Sequence, residues 1–274
     1  MNEIFTIAKK EVMDNWRNKW IIAVSAIFAI LTLVISYFGS MGGVGWKDLE
    51  VTIAGMITLV TLLIPIIGLM LGYASIVGER EKGSLELLLS YPVKREEVLV
   101  GKFFGLSAVM AFANFAGFGI AGVVIAMNVK GVEWSDYLIF ILASILLGIV
   151  FIAIAMLMSC AFKKRSTAMG AAIFTWFLFE MIWNIIVAGI LIAQYGMEKL
   201  ADKNFVAPNW YYVASLINPV KAYSALVSLN VTPVSEFIGK MPSFVNTPFN
   251  LAILLAWMMG SMLLAYYLFK KKDL

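Results

Sequence analysis

Histidine is missing from the chain, and cysteine occurs once, at Cys160. A single thiol cannot close an internal disulfide. Without His there is no Cys/His metal set and no His-activated nucleophile. Cys160 therefore reads as a small apolar residue for packing. Charge is scarce as well. Only 14% of residues are Asp, Glu, Lys or Arg, and a net charge of +4 gives no footprint for nucleic acid. No GxxxxGK(S/T) string occurs, so the chain cannot cradle ATP phosphates in that way. Methionine is plentiful, and Met258 and Met262 share a helical face as soft metal ligands could. Apolar spans use Met freely as filler, so no metal role is assigned.

What fills the chain is apolar. Hydrophobic residues make up 62% of its 274 positions, and the mean hydropathy is +0.90. No soluble domain needs that much apolar surface, so the class is all-α integral membrane. Six stretches are long enough to cross a hydrocarbon core, which takes ~20 residues. They are 20–39, 51–77, 103–127, 137–162, 167–193 and 250–269. Residues 1–19 read as an amphipathic helix in the membrane interface, with Ile4, Ala8, Val12 and Trp16 on one stripe. A Gly-rich loop at 40–50 and a polar turn at 129–136 connect spans. Residues 194–249 tempt a seventh span. Asn218-Pro219 breaks that segment and Lys221 follows at once, so two short re-entrant or interfacial helices are expected. Trp210, Tyr211 and Tyr212 suit interfacial anchors.

Lys and Arg set the orientation. One side collects Lys9, Lys10, Arg17, Lys19, Arg80, Lys82, Lys94, Arg95, Lys102, Lys163, Lys164, Arg165 and Lys270 to Lys272. The other has only Lys47, Lys130, Lys199, Lys203, Lys221 and Lys240. The rich side, with both termini, is cytoplasmic by the positive-inside rule, in a cell membrane.

Between spans 2 and 3 lies the one stretch where both signs crowd together, residues 78–102, GEREKGSLELLLSYPVKREEVLVGK. Ser84 suits an N-cap, Glu86 sits near the positive end of the helix dipole, and Leu85, Leu88 and Leu89 share a face. Tyr91-Pro92 ends that helix, and a second begins near Lys94. Gly78, Glu79, Glu81, Gly83, Leu85, Glu86, Leu88, Leu89, Pro92, Val93, Arg95, Leu99, Gly101 and Lys102 resemble the cytoplasmic loop of ABC-2 type permeases. Ser84 replaces the usual Thr, and Lys94 replaces a small polar residue. The string IAKKEVMDNWRNKW, the later LINPVKAY and the length resemble the branch serving copper-site maturation of nitrous oxide reductase.

The resemblance implies a membrane subunit without enzymatic activity, working as a homodimer with a separate ATP-binding cassette subunit that binds ATP and Mg. Glu79, Arg80, Glu81, Lys82, Gly83, Ser84, Leu85, Glu86, Leu88 and Leu89 would then form the coupling helix that docks on the ATPase. An accessory protein outside the membrane would meet residues 194–249.

Polar residues inside the spans carry a second question. Glu180 is an acid near the middle of span 5, Asn184 follows one turn later, and Asn114 lies in span 3. An ionised carboxylate at that depth costs about 2.5–3.5 kcal/mol on insertion scales. Glu180 is thus either a protonated packing group bonded to Asn184 or a neighbouring helix, or a pathway residue. Pro65 in span 2 reads as a tolerated proline. Asn218, Pro219 and Tyr223 mark the extracytoplasmic helix break. An ion-coupled carrier using Glu180 is the alternative function. An intramembrane enzyme lacks a suitable constellation.

Overall fold

A computed structural model describes residues 3–38, 45–46, 49–129, 134–200, 202, 205–231 and 242–271. Lys47, Lys130, Lys203, Lys240 and Lys272, five of the charges used for orientation, lie outside the described residues, as do most of the 40–50 loop and residues 130–133 of the 129–136 turn. The described secondary structure is helical throughout. In chain order it comprises α1 (Glu3–Arg17), α2 (Trp20–Phe38), α3 (Leu49–Gly72), α4 (Val77–Glu81), α5 (Ser84–Leu89), α6 (Arg95–Asn128) and α7 (Trp134–Ala161). Next come α8 (Arg165–Phe177), a π-helical turn (Leu178–Ile182), α9 (Trp183–Leu200), α10 (Asn209–Leu216), α11 (Pro219–Asn230) and α12 (Thr247–Lys271).

Among the described residues, six helical runs are long and apolar enough to span a membrane. They are α2, the run from α3 through α4, α6, α7, the run from α8 through α9, and α12. Helix α7 is the axis of the bundle. It packs against α3, α6, α11 and α12, and two thirds of its most apolar window is buried. Phe140, Leu147, Val150, Phe151 and Met156 on it are fully buried. Helix α2 lies along α6, and so does α1. Helix α3 passes through Pro65 without a break.

The contact between α1 and α6 rests on two glycines. A Cβ on Gly101 would stand 2.8 Å from Ile7 Cβ, and one on Gly105 would stand 2.6 Å from Glu11 Cβ. The close approach changes the expected stripe of α1. Ile7 and Glu11 are its buried residues, whereas Trp16 is 50% exposed. The apolar line foreseen through Ile4, Ala8, Val12 and Trp16 is thus rotated, because α1 packs on another helix.

Candidate functional site

The island between spans 2 and 3 folds as two short helices and an extended turn. Helix α3 ends at Gly72, ahead of the expected residue 77, and four turn residues lead into α4. The first amides of a helix lack partners within it. Here Ser159 of α7 supplies one from outside, since its Oγ accepts the N–H groups of Ile76 at 2.9 Å and Val77 at 3.0 Å. Gly83 then turns the chain at φ 70°, a left-handed value that costs Gly least. Gly83, not Ser84, is the N-cap residue of α5. Ser84 opens the helix, and its hydroxyl donates to the Glu79 carbonyl at 3.2 Å. The hydroxyl expected to cap α5 closes the α4–α5 turn instead. At the start of α6, the Glu97 carboxylate accepts the Lys94 N–H at 2.7 Å, which compensates for the lack of a capping side chain at Lys94.

Three helices meet at a buried cation. Lys102, with a side chain 2% exposed, donates to Glu11 Oε1 of α1 at 2.6 Å and to Glu79 Oε1 of α4 at 2.7 Å. Lys10 adds a contact to Glu79 at 3.2 Å and to Asp14 at 3.4 Å. Burial alone would raise the Glu79 carboxyl, but the charge and hydrogen bond of Lys102, helped by Lys10, outweigh it and hold the group below its ordinary value. Burial likewise opposes the charge on Lys10, yet Glu11, Glu79 and Asp14 raise it above the ordinary lysine value. The start of α6, α1 and α4 are therefore one electrostatic unit.

The rest of the island is also tied down. Glu81 Oε1 accepts the backbone N–H of Arg165, the first residue of α8, at 2.7 Å. The Arg165 guanidinium reaches Tyr73 Oη at 3.1 Å. Arg80 donates to the Phe162 carbonyl at 3.3 Å. Arg95 donates to the Phe269 carbonyl at 2.9 Å, at the far end of α12. The island thus touches spans 3, 4, 5 and 6. Its leucine face looks inward, because Leu85 is fully buried and Leu88 and Leu89 pack on the core. The exposed side chains there include Lys82, Glu86, Leu87, Tyr91 and Pro92, with Leu87 at 69% and Tyr91 at 68%. Leu87 and Tyr91 were missed from sequence because an amphipathic period marks a face without saying what covers it. Lys102, Glu11 and Ser159 were missed as partners because all three contacts are long-range.

Elsewhere the polar residues separate. Glu180 sits in the π-helical turn, and its Oε1 is buried without a hydrogen-bond partner. Asn184 does not reach that carboxyl. Its Nδ2 donates to the Glu180 carbonyl at 2.7 Å, so of the alternatives for Glu180 a side-chain bond to Asn184 is not the one made. Asn114 is fully buried, donates to the Met110 carbonyl at 2.8 Å and lies apart in α6. Met258 and Met262 pack against the core.

The break at Asn218-Pro219 is a satisfied joint. Asn218 Oδ1 accepts the Val220 N–H at 2.9 Å and caps α11, while its Nδ2 donates to the Phe179 carbonyl at 2.6 Å. The indoles of Trp183 and Trp257 donate to the carbonyls of Ala214 and Ile217, at 2.9 and 2.8 Å. Tyr223 Oη lies 3.0 Å from Ser144 Oγ. The Ser144 hydroxyl donates to the Phe140 carbonyl, which makes Tyr223 the donor in the pair. At ~1.5 Å per residue, Phe179 lies about 20 Å along its span from the basic end at Arg165, and Trp257 about 20 Å from Lys271.

Known proteins match this arrangement along its whole length. The family model described as ABC-2 family transporter protein matches residues 5–274. The chain is 35% identical to the "Probable ABC transporter permease protein NosY" of Stutzerimonas stutzeri, with 99% of each chain covered. It is 34% identical to the protein of the same name from Pseudomonas aeruginosa, with 100% of each covered. With six apolar helices and a charged island braced against four of them, the chain belongs to the ABC-2 transporter family as a multi-pass permease subunit.

Proposed function

We propose that this permease converts motion of a separate ATP-binding subunit into rearrangement of its six spans. ATP and Mg belong to that subunit, and this chain does not hydrolyse nucleotide. One observation carries the reading. Helices α4 and α5 expose Lys82, Glu86 and Leu87, and Tyr91 beyond them, while their inner side is bonded to Lys102, Ser159 and Arg165. A push on the outer residues reaches spans 3, 4 and 5 through short, directed bonds. A docking face built on Glu86, Leu87 and Tyr91 fits this geometry better than one built on Leu85, Leu88 and Leu89.

The distribution of Lys and Arg puts the island and both termini in the cytoplasm. The Asn218-Pro219 joint then lies in the outer third of a ~30 Å hydrocarbon core, which makes α10 and α11 a re-entrant hairpin. Its backbone groups are satisfied by Asn218, Trp183 and Trp257, as irregular backbone at that depth requires. The run from α8 through the π-helical turn to α9 leaves Ile173, Phe177, Met181 and Ile185 exposed, a face that suits a second copy of the chain. The strings IAKKEVMDNWRNKW and LINPVKAY, which resemble the branch serving copper-site maturation, support a role in maturation of a copper enzyme outside the membrane, with an accessory protein meeting residues 194–249.

Co-purification tests the coupling. Leu87→Glu combined with Tyr91→Ala abolishes assembly with the partner ATP-binding subunit while leaving the permease folded. Normal assembly of that variant overturns the proposed docking face. Charge reversal at Glu79 or Glu81 is a poorer test, because both carboxylates hold the island to its own spans.

A further inference from the structure

A cavity of about 570 Å³ opens between α9 and the pair α10 and α11. Its lining mixes Asn184, Lys221, Ser224 and Ser228 with the apolar Val187 and Leu216. Lys221 is exposed into this space and makes no hydrogen bond or ion pair with any described residue. The carboxylate whose field reaches it is Glu180, which does not line the cavity and forms no ion pair with it. Lys221 lies one turn past the Asn218-Pro219 joint, so its ammonium sits beside a span and not at the end of one. A cation at that position is stable only with water or a counter-ion beside it.

We propose that this cavity is a binding site for an amphiphilic anion, a phosphate or phosphate-like head group joined to a short apolar tail. The ammonium of Lys221 supplies the charge, and a phosphate oxygen accepts from it as a point-charge donor. Ser228 and Asn184 bring further donors to the same wall. The Ser224 hydroxyl donates to the Val220 carbonyl, which leaves its oxygen as an acceptor for a protonated phosphate. Val187 and Leu216, both nearly buried, offer the apolar wall for the tail. The cavity is large enough for such a molecule, and a bare acyl chain would leave the Lys221 charge without a counter-ion. The head group could arrive as a soluble phosphate monoester or as an anionic lipid. The site rests on the hairpin geometry alone and stands whichever side of the membrane it faces.

The permease in phosphatidylcholine nanodiscs is titrated with butyl phosphate, reading the fluorescence of Trp183 beside Asn184. A parallel sample in discs containing phosphatidylglycerol is examined by native mass spectrometry for retained lipid. Saturable butyl phosphate binding that weakens at least about tenfold in Lys221→Gln, recovers in Lys221→Arg and is unchanged in Lys199→Gln supports the site with a soluble ligand. Phosphatidylglycerol retained by the native chain and by Lys221→Arg, but lost from Lys221→Gln, supports it with a lipid. Absence of both, or equal binding by the native chain and Lys221→Gln, overturns it. Thermal unfolding of Lys221→Gln at the native temperature shows that a loss is local. None of these readouts uses the ATPase, so failure of the coupling reading would leave them intact.

Discussion

Lys102 Nζ sits 2.7 Å from Glu79 Oε1 and 2.6 Å from Glu11 Oε1, a single cation shared by two carboxylates on two other helices. Removing one partner from a buried pair leaves an uncompensated charge, which typically costs 3–5 kcal/mol (an order-of-magnitude range). Lys102→Met leaves two such carboxylates. We expect it to lower the stability of the detergent-solubilised permease by about 3–5 kcal/mol in denaturant titrations, and Lys102→Arg to recover part of that. A double-mutant cycle with Glu79→Gln should show coupling of about 1 kcal/mol or more. Additive effects would mean the pair transmits nothing.

The same pair sets a pH window. The folded Glu79 carboxyl titrates below its ordinary value of 4.5, so the stability it contributes is fully present above that value. It is lost as pH falls through the lower folded value. Lys10 titrates above its ordinary 10.5, so its contribution is complete below 10.5 and is lost as pH rises through the raised value. The stability difference between the native chain and Glu79→Gln should thus be flat from pH 5 to pH 8 and shrink only below about 4.5. A difference that shrinks near neutrality would contradict the bond.

Ser159 presents a smaller, cleaner test. Its hydroxyl accepts the N–H groups of Ile76, just before α4, and of Val77, which opens it. Ser159→Ala should cost about 1–3 kcal/mol, the penalty for leaving buried donors unpaired. It should also raise hydrogen exchange at Ile76 and Val77 before exchange rises in α7. Ser159→Thr keeps the oxygen and should restore protection. Uniform exchange across both helices would show that the contact anchors nothing.

The contrast between these residues and the spans shows what a linear sequence can carry. Six spans were legible because ~20 apolar residues between charges have few other uses. The island was legible because nine charges in 79–97 have no place in hydrocarbon. The joint at Asn218-Pro219 was legible because proline restricts the residue before it and lacks a donor. Ser159, Glu11 and Lys102 were not, since their partners lie far away in the chain and a packed hydroxyl looks like any other. The rotation of α1 followed from Gly101 and Gly105, whose role appears only once the helix above them is in place. The π-helical turn at Glu180 shifts side-chain direction within one span without changing its composition, so hydropathy could not reveal it.

Glu180 separates two mechanisms, and its setting predicts which one holds. A carrier that moves protons on this carboxylate needs a relay, and intramembrane relays run through chains of acids or hydroxyls. Glu180 Oε1 has no partner, Asn184 turns its amide to the backbone, and Asn114 lies on another helix against Met110. Lys221 acts on Glu180 without forming an ion pair. Glu180→Gln preserves shape and removes only the charge. In a permease driven by a partner ATPase, that variant should keep nucleotide-dependent output within about a factor of two, equivalent to less than ~0.5 kcal/mol. A proton-coupled carrier would lose transport altogether in the same variant, and would respond to an imposed pH gradient with no ATPase present. Measuring output of the native and Glu180→Gln complexes in proteoliposomes, with ATP and then with a pH gradient alone, decides between them. Gradient-driven activity that depends on Glu180 would overturn the ATP-coupled reading.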